Sequence, residues 1–321
     1  MTLPPGSIIL CPGQGAQAVG MGKAWFDHSD AARAVFSAAD KLLGDRLGAP
    51  LSRLCFEGPA ETLNRTDISQ PAIYTTSIAC WRALQPSADK AIAATAGLSL
   101  GEYTALHIAG AISFDDGLEL VTLRGRAMQD AAESPEATAG GGGGMIALIG
   151  ATDEQAEQVA REARGSQILV CANFNAPGQV VLSGHKQACE RAAKVAESLG
   201  LKSAILQVAG AFHSPLMAPA AERLGQALAK TPIQAPRCTV VSNVTAQPHT
   251  SDPSTIRQRL VEQLTSPVRW AQGCAWLAAQ TAPGPGFSYV ELAPGRTLMG
   301  LMRRIDKSIK VETHDAPPAA A

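Results

Sequence analysis

The segment GLSLGE at residues 97–102 lies between two different hydrophobic patterns. Residues 91–96 before it are small and apolar, which indicates a buried β-strand, and the apolar residues after it have helical spacing. Gly-x-Ser-x-Gly at a strand-to-helix turn is typical of a nucleophile elbow, in which glycines make room for a sharp turn that exposes the serine hydroxyl. We therefore interpret Ser99 as a nucleophile. The alternative is a small-residue helix start that Ser99 caps.

Hydrophobic patterns on both sides of this segment predict an α/β fold. An apolar run at residues 7–11 ends in the turn PGQG at 12–15, which indicates a further strand. Two more strands are expected at 238–242 and 287–292. Helices are expected at 31–43, 70–84, 256–264 and 270–279, and others begin near Ser113 and Pro215.

A different order is expected after the five consecutive glycines at 140–144, which are typical of a loop or a joint between domains. The following pattern is strand, helix, strand, strand, helix, strand, the βαββαβ order of ferredoxin-like domains. Its elements are predicted at 145–149, 152–164, 168–173, 180–184, 186–199 and 202–208. We therefore predict a discontinuous large domain at 1–138 and 209–314, an inserted small domain at 139–208, and a disordered tail at 315–321.

The composition disfavours several classes of protein. With 17% charged residues and a formal net charge of −1, the chain offers no general surface for nucleic acid. The N-terminus lacks the basic and apolar regions of a signal peptide, and no apolar run approaches the ~18 residues of a membrane span. Seven cysteines without a Cys-x-x-Cys pair favour reduced thiols over disulfides or a zinc site, so we expect a cytoplasmic protein.

A serine nucleophile needs a base, and histidine is the usual one near neutral pH. Among six histidines, His213 has the most suitable place, because it follows a predicted strand and precedes a predicted helix. Side chains at strand ends can reach a common site at the edge of a sheet. The alternative is a histidine at a helix start that contacts only backbone or solvent.

Two further features could serve an acyl group. Arg124 and Arg126 share a predicted helix, and an inward-pointing guanidinium would bind a carboxylate through two hydrogen bonds. From spacing alone, a surface arginine paired along its helix is the more frequent outcome. The main-chain N–H groups of Gln14, in a turn after a strand, and of Leu100, at a helix start, could stabilise an oxyanion.

Seven segments together resemble one family, the malonyl-CoA:acyl carrier protein transacylases, which are related to the acyltransferase domains of polyketide synthases. The resemblance covers nearly the whole chain. The segments are PGQGAQ at 12–17, GLSLGEY at 97–103, LRGRAMQ at 123–129, NFNAPGQ at 173–179, GAFHSP at 210–215, QLTSPV at 263–268 and ELAPG at 291–295. The resemblance implies an α/β-hydrolase-like large domain with an inserted ferredoxin-like small domain.

The resemblance also implies roles for individual residues. Ser99 would be the nucleophile, and His213 would be the general base, oriented by the main-chain carbonyl of Gln263 in place of an acid. Arg124 would bind the free carboxylate of the malonyl group. The N–H groups of Gln14 and Leu100 would form the oxyanion hole.

Four more positions follow from the resemblance with less detail. Met128 and Phe212 would line the acyl pocket. The segment GAFH at 210–213 resembles the version associated with malonyl rather than methylmalonyl groups. Asn173 and Asn175 would lie near the carrier-binding cleft; without the resemblance, they indicate only a turn between strands.

The implied function is transfer of a malonyl group from malonyl-CoA through Ser99 to the phosphopantetheine thiol of acyl carrier protein, in fatty acid synthesis. The CoA thioester is the substrate, no metal or redox cofactor is expected, and we expect a monomer. Many family members have histidine where this chain has Leu98, but that residue is not the base, so activity should be retained. The open alternatives are an esterase or thioesterase, an inactive docking subunit, and the same chemistry in polyketide synthesis or malonate decarboxylation.

The carrier protein is expected to be acidic, so a basic surface should receive it. Arg303, Arg304, Lys307 and Lys310 form the one obvious basic cluster of the sequence. The alternative is a solvated helix face followed by a strand end.

Overall fold

The strands of the described chain form two separate sheets. The computed structural model describes residues 3–4, 6–84, 92–139, 141–281 and 286–318. The strands are β1 (Ser7–Cys11), β2 (Ile92–Gly97), β3 (Gly143–Ile149), β4 (Leu169–Ala176), β5 (Gln179–His185), β6 (Lys202–Ile205), β7 (Thr239–Val241), β8 (Ser288–Leu292) and β9 (Val311–His314). The large sheet has the order β7-β2-β1-β8-β9 and the small sheet the order β4-β5-β3-β6.

Every pairing in the large sheet is parallel, and every pairing in the small sheet is antiparallel. Helices connect and cover these strands. They are α1 (Lys23–His28), α2 (Asp30–Leu43), α3 (Leu51–Glu57), α4 (Ala60–Leu63), α5 (Thr66–Leu84), α6 (Gly101–Ile108), α7 (Phe114–Ala132), α8 (Pro135–Ala139), α9 (Asp153–Arg164), α10 (Lys186–Ser198), α11 (Ala218–Leu228), α12 (Pro253–Glu262), α13 (Trp270–Gln280) and α14 (Thr297–Ile305). The chain therefore has the mixed α/β architecture that the sequence predicts.

Strand β1 lies at the centre of the large sheet and is buried on both faces. Ile9 packs into one hydrophobic cluster, whereas Ile8 and Leu10 pack into another. Successive side chains of a strand point to opposite faces, so a continuous apolar run suits a parallel strand covered on both sides by helices. The central position of β1 brings its carboxyl end next to that of β2, where the segment with Ser99 begins.

Strand β3 of the small sheet is also covered on both faces. Ile146 and Leu148 of β3 pack with α9 and α10 in a cluster of their own. Met145 and Ala147, which point the other way, belong to the large hydrophobic cluster. The alternating pattern of β3 therefore joins the two sheets through buried apolar contact.

The predicted elements agree with the structure in type and differ mainly at their ends. Ser113 caps α7 as expected, with its Oγ accepting a hydrogen bond from the Asp116 N–H at 3.0 Å. The first long helix starts one residue early because Ser29, rather than Asp30, is its N-cap. Strand β6 ends at Ile205, where its pairing with β3 ends, and not at 208.

Several elements were missed. Helices α3 and α4 have 7 and 4 residues, too few for a helical period to be distinguished. Helices α1, α8 and α14 and strand β9 were not predicted either. Strand β9 is only 4 residues long, and its pairing with β8 is set by tertiary contacts.

Some predictions concern segments at the margins of the described chain. Ala91, Gly140 and residues 319–321 lie outside the described residues. In the tail predicted to be disordered, the Asp315 carboxylate accepts a hydrogen bond from the Gly295 N–H at 2.6 Å.

All seven cysteines are free thiols. None of the described helices combines the length and apolar character needed to traverse a lipid bilayer.

The positions of Gly97 and Gly101, on either side of Ser99, have no room for a side chain. A Cβ atom on Gly97 would lie 1.9 Å from the main-chain carbon of Gly101, and a Cβ on Gly101 would lie 2.2 Å from the carbonyl oxygen of Cys11. Both distances are far below van der Waals contact. The start of α6 therefore packs directly on the end of β1, and only glycine allows this approach.

We expect Gly101→Ala to lower the free energy of unfolding by on the order of 2 kcal/mol, because the added methyl meets rigid main chain. Gly300→Ala is the matched control: Gly300 is exposed within α14, and nothing lies within 4 Å of an added Cβ. It should raise the free energy of unfolding by about 0.5–1 kcal/mol through helix propensity. Urea unfolding of both variants tests this, and equal effects would contradict the packing account.

Candidate active site

The main chain at Ser99 is held in a sharp turn after β2. Ser99 has φ +52°, a left-handed conformation that side chains other than glycine rarely adopt. Its N–H donates to the Asn243 Oδ1 at 2.7 Å, and the Asn243 Nδ2 donates to the Gly97 carbonyl oxygen at 2.7 Å. Asn243 follows β7, the neighbour of β2 in the sheet, so one amide side chain connects both sides of the turn.

The structure brings His213 against the serine. Its Nε2 lies 2.8 Å from the Ser99 Oγ, and its Nδ1 lies 2.7 Å from the carbonyl oxygen of Gln263. Because a carbonyl oxygen can only accept, Nδ1 carries the proton and Nε2 presents its lone pair to the hydroxyl. This is the geometry of a serine with its general base, oriented by a main-chain carbonyl.

The environment keeps the imidazole neutral. Burial lowers the pKa of His213 to about 4, the nearby positive charge of Arg124 acts in the same direction, and the hydrogen bond to Gln263 opposes them. Burial and the charge of Arg124 both disfavour the protonated, charged form of the imidazole. At neutral pH His213 is therefore unprotonated and able to accept the proton of Ser99.

Arg124 points inward from α7 and is almost completely buried, at 1% exposure. Its Nη1 donates to the Gln70 Oε1 at 2.7 Å, and its Nη2 donates to the Ser99 Oγ at 3.0 Å and to the Gln263 Oε1 at 2.8 Å. Burial lowers its pKa. Within the described chain, no carboxylate forms an ion pair with Arg124, so this charge is held by neutral acceptors alone.

Arg126 has a different environment, which separates the two candidates. Its half-exposed side chain forms ion pairs with Asp67 at 3.4 Å and Asp130 at 2.8 Å. Arg126 is therefore a surface arginine paired with acidic neighbours, the arrangement expected from helical spacing alone. Arg124 instead lies beside the serine.

Two main-chain N–H groups flank the serine. The turn with Gln14 packs on the elbow, because a Cβ on the preceding Gly13 would lie 2.3 Å from the Leu98 carbonyl oxygen. Leu100 directly precedes the first turn of α6. No acceptor in the described part of the chain takes a hydrogen bond from either N–H. Both groups are therefore available to an incoming oxyanion.

Comparison with known proteins agrees with this geometry. Residues 8–316 match the family model described as acyl transferase domain. The chain is 41% identical to the malonyl CoA-acyl carrier protein transacylase of Salmonella typhimurium, over 97% of this chain and 96% of the relative. It is 40% identical to that of Bacillus subtilis, over 94% of this chain and 91% of the relative.

The chain belongs to the malonyl CoA-acyl carrier protein transacylase family. Among solved structures, the transacylase of Xanthomonas oryzae superimposes with a TM-score of 0.88 at 40% identity, covering 99% of this chain and 96% of the other. A malonyl-transacylase in complex with a type II polyketide synthase acyl-carrier protein gives a TM-score of 0.89 at 36% identity, covering 97% and 96%. The family resemblance of the sequence motifs is confirmed.

The remaining residues implied by the family resemblance lie at different distances from the serine. Met128 is buried one turn after Arg124 on α7, and its Sδ accepts a hydrogen bond from the Gln70 Nε2 at 3.3 Å. Phe212 is buried next to His213. Asn173 lies on β4, beside Val268.

Asn175 lies two residues further along β4. Its Oδ1 is buried, with no hydrogen-bond partner in the described chain. Neither Asn173 nor Asn175 forms a described hydrogen bond to the serine, the histidine or the arginine. Their role near a carrier cleft remains a prediction.

Three contributors to the site were missed by sequence reasoning. Gln70 supplies an acceptor for Arg124, Asn243 holds the turn, and the side chain of Gln263 contacts Arg124 in addition to its carbonyl's contact with His213. Asn243 could have been suspected, since it follows a predicted strand, and side chains at the carboxyl ends of strands can reach a common site. Gln70 is a polar residue in a buried helix, which indicates a specific partner without identifying it.

We expect Arg124→Ala to raise the pKa of His213 from about 4 towards the ordinary value of ~6.5, because it removes a positive charge and admits water. Arg124→Lys, which keeps the charge, should leave the pKa closer to that of the unaltered protein. Imidazole NMR shifts followed over pH provide the measurement. Similar pKa values in both variants would show that the charge of Arg124 does not act on His213.

Proposed function

We propose that the chain carries out the family's reaction through a covalent ester on Ser99: a malonyl group passes from malonyl-CoA to the phosphopantetheine thiol of acyl carrier protein, for fatty acid synthesis. The observation that carries this proposal is the Arg124 Nη2, 3.0 Å from the Ser99 Oγ. A buried cation at this distance supports the proposal, because the distal carboxylate of a short dicarboxylic acyl group would lie close to the serine once its carbonyl carbon is bonded to the Oγ.

The first half-reaction uses the serine and its base. The Ser99 Oγ attacks the thioester carbonyl carbon while the His213 Nε2 accepts the hydroxyl proton. The negative charge on the carbonyl oxygen is stabilised by the N–H groups of Gln14 and Leu100. As the C–S bond breaks, His213 returns the proton to the CoA sulfur, and the malonyl ester remains on Ser99.

The second half-reaction reverses these steps with another thiol. His213 takes the proton of the carrier's phosphopantetheine thiol as its sulfur attacks the ester carbon. The Oγ of Ser99 leaves and recovers the proton from His213, which balances the cycle. CoA acts only as part of the substrate, and every step uses the chain's own groups, so the proposed cycle needs no metal or redox cofactor.

Arg124 accounts for the choice of acyl group. In the described structure its guanidinium donates to neutral oxygens, and a malonyl carboxylate would form charge-assisted hydrogen bonds in their place. An acetyl group would leave the buried charge without this partner, which costs on the order of a few kcal/mol. An esterase shares the serine and histidine but has no need of such a cation.

We also propose a fold class for each of the two domains. The elbow at the end of a parallel strand supports an α/β-hydrolase-like large domain. The small sheet has the chain order βαββαβ and the strand order β4-β5-β3-β6, which supports a ferredoxin-like insertion. Its strands begin at Gly143 and end at Ile205, in keeping with the proposed boundaries 139–208, 1–138 and 209–314.

A basic depression is the proposed contact for the acidic carrier protein. Arg303, Arg304 and Lys307 are exposed and line one depression with Pro177, in the turn between β4 and β5. Lys310 lines a different depression with Phe287. The basic cluster of the sequence is thus divided, and the three residues beside Pro177 are the better candidates. Exposed cations of this kind increase the rate of association with a negatively charged partner more than they increase the affinity.

We expect malonyl-CoA without a carrier to add one malonyl group to the chain, seen by mass spectrometry of the intact protein and located by peptide mapping at Ser99. Ser99→Ala should abolish this addition because no other described hydroxyl lies against His213. Asn243→Ala, which loosens the turn but keeps the hydroxyl, should still be labelled, more slowly. Unchanged labelling of Ser99→Ala would refute the acyl-enzyme.

We expect Arg124→Ala to reduce kcat/KM for malonyl transfer by roughly 100-fold or more, while acetyl transfer is spared or improved. Arg126→Ala is the matched control, since it removes the same side chain from the same helix but away from the serine. Its malonyl-to-acetyl preference should stay unchanged. Steady-state transfer from radiolabelled malonyl-CoA and acetyl-CoA is the measurement, and equal losses for both thioesters in Arg124→Ala would remove the proposed role.

A further inference from the structure

A buried carboxylate lies directly behind the serine, and the reaction cycle does not use it. Glu102, in the first turn of α6, is completely enclosed, with 0% exposure. It accepts hydrogen bonds from the Gln263 Nε2 at 2.5 Å, the His249 Nε2 at 2.6 Å and the Asn243 main-chain N–H at 3.3 Å. A carboxylate without solvent needs such donors, and here one of them belongs to the side chain that contacts Arg124.

The amide of Gln263 can turn in either of two ways, and its neighbours select one. Its Nε2 faces two groups that only accept, the Glu102 carboxylate and the Ser99 carbonyl oxygen at 3.0 Å. Its Oε1 consequently faces the Arg124 Nη2 at 2.8 Å. The reversed amide would set an NH₂ group against a guanidinium, so two donors would meet in a buried site.

We propose that Glu102 is a positioning residue for acyl-group selection: it fixes the amide of Gln263 and, through it, the guanidinium of Arg124 that receives the substrate carboxylate. The proposal deepens the role of Arg124 given above and rests on it. Glu102 itself touches neither the nucleophile hydroxyl nor the base among the described contacts, so it acts through its neighbours.

A carboxylate suits this position better than an amide of the same shape. All three groups around Glu102 are donors, and a carboxylate offers acceptors on both oxygens. A glutamine at 102 would direct its own NH₂ group at one of these donors. The negative charge also lies near the buried Arg124, with the Gln263 amide between the two, and so offsets part of the cost of burying that cation.

His249 supports the carboxylate from the other side. Its side chain is fully enclosed, and its Nε2 donates to Glu102, while its Nδ1 has no partner in the described structure. The one described hydrogen bond of its side chain is therefore the one to Glu102. A glutamine at 249 can place a donor near the same point, whereas phenylalanine fills the space without one.

The test is a double-mutant cycle between Glu102→Gln and Arg124→Ala, with kcat and KM measured for malonyl-CoA and acetyl-CoA. We expect Glu102→Gln to lower kcat/KM for malonyl transfer by roughly 10-fold, mostly through a higher KM, and to change acetyl transfer by less than about 3-fold. In the Arg124→Ala background, Glu102→Gln should leave the malonyl-to-acetyl ratio unchanged, because the guanidinium through which it acts is gone.

Two outcomes would overturn the proposal. One is an equal loss of kcat/KM for malonyl-CoA and acetyl-CoA in Glu102→Gln, which indicates a merely structural role. The other is that Glu102→Gln changes the malonyl-to-acetyl ratio equally with and without Arg124. If Arg124→Ala alone leaves the ratio unaltered, the proposed role of Arg124 is wrong, a failure that is distinct from that of Glu102.

If Glu102→Gln does not fold, as judged by urea unfolding, the variants His249→Phe and His249→Gln test the proposal instead. The proposal requires a lowered malonyl-to-acetyl ratio in His249→Phe and its recovery in His249→Gln. Equal ratios in the two variants would refute it.

Discussion

A guanidinium enclosed by protein lies within hydrogen-bonding distance of the nucleophile hydroxyl, and the surrounding side chains are arranged around its charge. Arg124 donates hydrogen bonds to the neutral oxygens of Gln70 and Gln263 and has a buried carboxylate one amide away. Burial lowers the pKa of His213, and the charge of Arg124 adds to that effect. A buried cation of this kind costs free energy to hold, and an incoming carboxylate relieves that cost. In the proposed reaction, this one charge therefore selects the acyl group and also contributes, after burial, to keeping the base unprotonated.

Gln263 connects the parts of this arrangement. Its main-chain carbonyl orients His213, its Oε1 accepts from Arg124, and its Nε2 donates to the carbonyl oxygen of Ser99. A single residue at the end of α12 thus fixes the base, the cation and the nucleophile relative to one another. Displacement of Gln263 would disturb all three, so the proposed role of Glu102 requires no contact between its carboxylate and the reacting atoms.

The sequence predicted those features that depend on local chain geometry. Gly97 and Gly101 are required where a strand turns sharply into a helix, so their spacing between a predicted strand and a predicted helix indicated Ser99 as the nucleophile. The strands β1 and β2 were visible as apolar runs between glycine-rich turns. Spacing alone did not separate Arg124 from Arg126, because both lie in one helix and the direction of the core is a tertiary property. Only the family resemblance singled out Arg124.

The sequence by itself determined the order of most long helices and strands, the nucleophile turn and, through the family's motifs, the reaction. The orientation of His213 by the Gln263 carbonyl was expected from the family resemblance alone, because a main-chain carbonyl is present in every residue and residue type cannot reveal which one accepts a given hydrogen bond. Only the tertiary structure decided the hold of Asn243 on the serine turn, the contact of the Gln263 side chain with Arg124, and the placement of Glu102 behind Gln263. The physical reason is that these contacts join residues 144, 139 and 161 positions apart, whereas a sequence pattern reports on neighbours along the chain.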